Sequence, residues 1–310
     1  MRLLKLVFVH LFLILAISCE NDEGDTQSSG INRNENQNST NIYPEASRLE
    51  MPRLKGEMSV LLVYKTNDKY DPDGINFSVE WDKKKKSQRW TCYQMTKTSN
   101  MQYANRYEGN PQYPFDPNLP QGSYYANDMI YSSGFDHGHI CPSNDRRYSS
   151  QTNYQTFYLT NMQPQYSVFN GSAKGMQEKS LWLRMENFFH DDIVKNSMKT
   201  GDTLYVCRGG TIDNNSQILK RINNQLIVPK YFFSAALLKN STGYHAFAFW
   251  FEHTGTPVEN LKLGDYVVNI QELEELTGID FFCNLPDDIE KREESRDHET
   301  IKKLWGLTKK

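Results

Sequence analysis

Apolar positions recur along the chain with two periods. Residues 60–64 form an apolar run of strand length, and residues 77–81 and 90–95 bracket Asp82-Lys83-Lys84-Lys85-Lys86, which predicts a hairpin with a charged, solvated loop. Residues 157–161, 204–207, 231–238 and 246–251 predict further strands. Within residues 177–190, Leu181, Trp182, Met185, Phe188 and Phe189 fall at helical spacing. Residues 269–276 predict a helix stopped by Thr277-Gly278, and residues 290–303 a charged helix or tail. Residues 105–125 are rich in Pro, Gly, Asn and Tyr and predict irregular chain. Strands and helices mix without βαβ regularity and without an internal repeat. The expected class is therefore α+β, a central antiparallel sheet flanked by helices.

The first nineteen residues follow another pattern. Arg2 and Lys5 precede an apolar run over residues 6–17, too short to cross about 30 Å of hydrocarbon, and Leu15-Ala16-Ile17-Ser18-Cys19 closes it. This reads as a signal peptide of lipoprotein type over residues 1–19, with Cys19 as the lipidated residue, and it resembles a bacterial lipobox. Residues 20–45, acidic and then rich in Asn, Ser and Gln, bury too little to offset their ordering entropy and read as a flexible tether. The expected location is the exterior: an outer-membrane or cell-surface lipoprotein, otherwise periplasmic or secreted. Residues 46–310 remain for the folded domain.

Composition narrows this only a little. A chain of 310 residues with 38 % hydrophobic and 24 % charged residues can bury a core and is neither collagen-like nor wholly disordered. Of the formal charge of −3, residues 20–50 carry −5 and the leader +2, so the folded part is neutral. That disfavours a non-specific coat on nucleic acid, which needs a basic face, but leaves room for a small phosphate-handling site. Cys92, Cys141, Cys207 and Cys283 form no CxxC pair and fit either one or two disulfides or four buried thiols.

The densest chemistry lies in Asp136-His137-Gly138-His139-Ile140-Cys141-Pro142-Ser143-Asn144-Asp145-Arg146. Two imidazoles, two carboxylates and a guanidinium so close together are costly to place in a core. As a strand, His137, His139 and Cys141 would share one face and could approach zinc, although a fourth ligand is lacking. As a turn, they would only satisfy backbone groups. As a hydrolytic site, one histidine would be a general base near neutral pH, with a magnesium ion held elsewhere.

Asp136-His137-Gly138-His139, followed by Phe157-Tyr158-Leu159-Thr160-Asn161-Met162-Gln163-Pro164-Gln165 and by Phe169-Asn170, resembles the DNA/RNA non-specific endonucleases of the ββα-metal type. The likeness extends from Arg89-Trp90, Arg106 and Phe115-Asp116-Pro117 to Val228-Pro229-Lys230 and Leu276-Thr277-Gly278-Ile279-Asp280. It implies a ββα-metal fold that hydrolyses both DNA and RNA using Mg²⁺, for which Mn²⁺ can stand in, with no obligate protein partner. By the same resemblance His139 is the general base, Asn170 the direct metal ligand and Arg106 a substrate-binding residue. Asp136 would orient the turn or an imidazole, and Asn161 would be structural.

The sequence departs from the family at two points. The family arginine between Asp and Gly is His137 here, so phosphate contact would fall to Arg106, with Arg146 a further candidate. The metal-site carboxylate has two candidates. Glu178 lies eight residues after Asn170, about 80° round a helix, whereas Glu186 has the family-like context Trp182-Leu183-Arg184-Met185-Glu186. On an unbroken helix Glu186 would stand about 24 Å away, so it serves only if residues 171–179 loop out, as Gly171 and Gly175 allow. The reading prefers Glu186. The rival from another class is a surface lipoprotein that keeps the fold but only binds nucleic acid or a partner, with His137 marking lost catalysis. His190, His245 and His253 read as structural.

Overall fold

A computed structural model describes residues 34–309, apart from residues 57, 71–73, 121 and 126. The leader, Cys19 and the first part of the expected tether lie outside the described residues. Arg33–Lys310 forms one unit.

In chain order, strands β1 (Ser59–Lys65), β2 (Ile75–Asp82) and β3 (Ser87–Met95) precede a long irregular passage. Strand β4 (Asp136–His139), helix α1 (Ser150–Gln155), strand β5 (Met162–Gln165) and helices α2 (Ser167–Asn170) and α3 (Leu181–Asn187) follow. Helix α3 continues in wider π-type turns over Phe188–Ser197. Strands β6 (Thr203–Gly210), β7 (Ile218–Ile222), β8 (Leu226–Pro229), β9 (Tyr231–Asn240), β10 (Gly243–Glu252) and β11 (Val267–Val268) come next. Helices α4 (Ile270–Thr277), α5 (Asp287–Glu294) and α6 (His298–Leu304) close the chain.

Seven strands form one sheet in the order β1-β2-β3-β6-β9-β10-β11, each antiparallel to its neighbours. Its register separates two cores. The row Tyr93, Val206, Ala236 and Phe247 faces one side, and the next row, Cys92, Cys207, Ala235 and Ala248, faces the other, as the period of two requires. The first side packs on Trp182, Met185, Phe188 and Phe189 of α3 and its continuation. The second packs on Ile270 and Leu273 of α4 and on Phe281 and Phe282. Burying one such aromatic or aliphatic side chain contributes about 1.5–3 kcal/mol. The expected α+β class with a helix-flanked antiparallel sheet is what the chain forms.

Several expectations shift on inspection. The strand expected over residues 157–161 is displaced toward the C-terminus: Leu159–Asn161 is a short 3-10 turn and β5 follows it. The charged tail is two helices, and the hairpin β7–β8 was not foreseen. The tether does not extend to residue 45. Asn34 donates to the Leu285 carbonyl at 2.7 Å, and Asn38, buried, donates to the carbonyls of Ala46 and Pro52 while accepting from the Leu54 N–H at 2.9 Å. Asparagine side chains that look like solvent-seeking spacers are here the partners of buried backbone groups. All four cysteines named above are free and buried.

His190 is structural, as read. Its Nδ1 lies 3.1 Å from Asp145 Oδ1, and Asp145 also accepts from the Tyr93 hydroxyl at 3.1 Å. Burial opposes charge on both partners, but their hydrogen bond and mutual attraction outweigh it, raising His190 and lowering Asp145 from their ordinary values. A raised histidine stabilises fully below its unfolded value and loses that contribution as pH rises through the folded one. A lowered aspartate stabilises above its unfolded value and loses that contribution as pH falls. His190→Ala is therefore expected to cost most, about 1–3 kcal/mol, between about pH 4 and 6.5, and progressively less at alkaline pH. Urea denaturation of both chains across pH checks this, and a pH-independent difference would refute the pairing.

Candidate active site

Two strands of four residues carry the chemistry. β4 pairs with β5 antiparallel, setting Asp136 opposite Gln165, Gly138 opposite Gln163 and His139 opposite Met162. So short a ladder is marginal alone and needs support at both ends. Beyond His139, the Asn161 side chain accepts from Cys141 N–H and donates to the Cys141 carbonyl, both at 2.9 Å, extending the ladder by one imitation rung. Gln163 ties the pair to the main sheet, donating to the Gln88 carbonyl and accepting from Gly210 N–H. At Gly138 there is no room for a side chain, because an added Cβ would stand 2.2 Å from the Gln165 side chain.

The helix after β5 is broken. α2 ends at Gly171, whose φ of +94° falls in the left-handed region, and an added Cβ there would lie 2.6 Å from Leu183. The chain loops out before α3 resumes at Leu181. The break turns Glu186 into the same cavity as Asn170, a hollow of about 550 Å³ lined also by Arg106, Tyr113, Tyr131, Asp136, His137 and His139. Glu178 is excluded from it. Its side chain is 82 % exposed and paired with Arg184. Arg146 is likewise not at the cavity: its guanidinium is buried over the Tyr93 ring and donates to the Gln94 carbonyl at 2.7 Å. That position makes it a structural arginine and not a phosphate contact.

Asp136 does orient its surroundings. It accepts from Ser167 Oγ at 2.9 Å, from Ser172 Oγ, and from Asn170 Nδ2 at 3.1 Å. A carboxylate can only accept, so the Asn170 amide nitrogen is committed and its oxygen is left for another partner. His137 Nε2 lies 2.7 Å from Asp128 Oδ2, and the imidazole stacks on Tyr113 with centroids 3.8 Å apart. Burial raises Asp128, yet the His137 hydrogen bond and charge, with two backbone N–H groups, hold it below its ordinary value. The residue replacing the family arginine is therefore an anchored ring. Arg106 lies with its guanidinium 4.7 Å from the Phe157 ring and is exposed.

His139 meets Phe157 edge-on at 4.8 Å, and its carbonyl accepts from Trp182 Nε1 at 3.1 Å. Its own Nε2 is buried without a protein partner. Burial, and then the charge of Arg106, push the imidazole down to about 3, so it is neutral at ordinary pH with a lone pair to offer. Burial pushes Glu186 the other way, up to about 8, against the opposing charge of Arg208, a guanidinium buried in the sheet over the Phe189 ring. A base that stays neutral and a carboxyl short of positive charge are what a cation in the cavity would reconcile. An amide oxygen and one carboxyl are hard donors suited to a hydrated ion such as Mg²⁺. The zinc arrangement does not form, because Cys141 is buried with its thiol pushed up to about 12 and His137 is committed to Asp128.

The fold and this cavity define a nuclease centre of the strand–strand–helix type. The family model for DNA/RNA non-specific endonucleases matches residues 63–288. The chain belongs to that family, one of metal-dependent nucleases, and is by class an endonuclease. It is 26 % identical over 239 residues to a nuclease of Nostoc, covering 74 % of this chain and 80 % of that protein. To the mitochondrial nuclease EXOG of Xenopus laevis it is 25 % identical over 224 residues, covering 69 % of this chain and 58 % of the relative. Endonuclease G of Bos taurus is 26 % identical over 161 residues, 49 % of this chain and 50 % of that protein, so the chain spans little more than half of these mitochondrial relatives. A solved structure of the EndoG/EndoGI complex shares the fold, with a TM-score of 0.54 at 17 % identity over 74 % of this chain and 89 % of that one.

Asp128, Tyr113 and Arg208 carry much of the site's geometry and electrostatics, and the sequence offered no sign of them. Asp128 and Tyr113 sit in irregular chain, and Arg208 interrupts an apolar strand like any charged residue. Gly138→Ala is expected to cost about 1–3 kcal/mol by overpacking, part of which Gln165→Ala should restore by vacating the space. Thermal melts of the single and double variants test it; equal losses in both would show that contact with Gln165 is not what requires the glycine.

Proposed function

We propose that the chain is a Mg²⁺-dependent endonuclease that hydrolyses DNA and RNA with little sequence preference, exported and held at a membrane by a lipidated Cys19. The observation that carries the hydrolytic reading is the buried Nε2 of a neutral His139, without a hydrogen-bond partner among the described residues, in one cavity with Asn170, Glu186 and Arg106. In this reading Nε2 takes a proton from the attacking water, and Arg106 meets the charge that develops on the phosphate. The Asn170 oxygen would hold the magnesium ion, with Glu186 orienting its water shell and Asp136 fixing the amide. A bound Mg²⁺ supplies Lewis-acid stabilisation of the phosphate. Because water and not the ribose 2′-hydroxyl is the nucleophile, either polymer can be cut.

Export and anchoring rest on Arg2 and Lys5, the apolar run over residues 6–17 and Leu15-Ala16-Ile17-Ser18-Cys19.

Plasmid and RNA should be degraded with Mg²⁺ and spared in EDTA. His139→Ala is expected to lower kcat by about 10²- to 10⁴-fold. Asn170→Ala and Glu186→Gln should raise the Mg²⁺ concentration needed for half-maximal rate, while Glu178→Gln changes nothing. Retained DNA binding without cleavage under any divalent ion would replace this reading with the binding lipoprotein.

A further inference from the structure

One aromatic side chain at the cavity is placed at odds with its chemistry. Tyr131 lines the hollow with Arg106, His137 and His139, yet it is 77 % exposed and meets no other ring among the described residues. An exposed ring on a loose loop would mean nothing, but this loop is built. Asp128 Oδ1 accepts from the N–H groups of Ile130 and Tyr131 at 3.0 and 3.2 Å. Ser133 N–H returns to the Ile130 carbonyl at 3.0 Å, and Phe135 N–H to Ser133 Oγ at 3.2 Å. Ile130 is buried in a small core with Leu159, Met162 and Leu226. Ser132 adopts a φ of +59°, a left-handed conformation that a residue with a side chain takes only when its surroundings impose it.

The other oxygen of Asp128 holds His137, two residues from the proposed base. A single carboxylate thus fixes the turn that presents Tyr131 and the imidazole in the place of the family arginine. The backbone that carries Tyr131 is therefore fixed at the rim of the cavity. Lys220 Nζ lies 4.7 Å from the ring of Phe135, another cavity residue.

We propose that Tyr131 is a stacking platform for the nucleobase next to the scissile phosphate. Every base has a π-face, so such a platform tolerates any sequence. It is open, however, only to a base that is not already stacked inside a duplex. The platform therefore selects single-stranded or locally unpaired DNA and RNA. This rests on the hydrolytic reading for the position of the phosphate but not for its own test.

The test uses the full chain and short single-stranded thymidine oligonucleotides with one ordinary phosphodiester and methylphosphonate linkages elsewhere, with bases or with abasic sugars flanking that bond. Affinity is read by fluorescence anisotropy in EDTA, and cleavage separately with Mg²⁺. The base-bearing oligonucleotide should bind about tenfold tighter than the abasic one. Tyr131→Ala should erase that difference by weakening the base-bearing form, while Tyr131→Phe and Tyr131→Trp keep it. Base discrimination that survives in Tyr131→Ala would overturn the proposal. So would its loss in Tyr131→Phe, which would assign the contact to the hydroxyl. Base-dependent binding that needs Tyr131 without cleavage by the parent chain would leave the platform standing and remove the hydrolytic reading.

Discussion

The site depends on holding together a pair of strands too short to hold themselves. β4 and β5 contribute four residues each, and the groups that secure them are side-chain amides: Asn161 completes the ladder, Gln163 joins it to the main sheet and Gln165 fills the space above Gly138. The Asn161 and Gln163 amides each use a donor and an acceptor, so each replaces missing backbone partners on both sides. An apolar residue in place of Asn161 or Gln163 would pack, but it would leave buried N–H and C=O groups unpaired, which costs more than the packing returns. Trp182 then links the strands to α3 through the His139 carbonyl, so the helix bearing Glu186 is registered against the strand bearing His139.

Burial acts on the two key groups in opposite directions. It disfavours charge on both, which leaves the imidazole of His139 deprotonated and the carboxyl of Glu186 protonated. The protein opposes only the second of these, and only in part, through Arg208; at His139 the charge of Arg106 adds to the effect of burial. The neighbouring side chains of Asp145 and His190, and of Asp128 and His137, are already paired with one another. The cavity is therefore poised for positive charge from outside, and this fits a small hydrated cation better than a closed cage of ligands.

The sheet was legible because its strands alternate between two cores and repeat the period cleanly, from residues 60–64 through 246–251. His139, Asn170 and Arg106, read from their likeness to the family's motifs, line one cavity. The choice between Glu178 and Glu186 turned on whether a helix breaks, for which Gly171 and Gly175 were the local signs. Arg146 was misread because a guanidinium beside histidines resembles a phosphate contact, while its burial over Tyr93 depends on a strand some fifty residues earlier. Asp128 was unreadable for the same reason: its role comes from contacts across the fold, with no local pattern.

Four thiols lie in the core, and two of them, Cys92 and Cys207, face each other across adjacent strands without joining. The folded state of Arg33–Lys310 thus owes nothing to a covalent cross-link among these cysteines. Reductant therefore removes nothing that holds the described fold together.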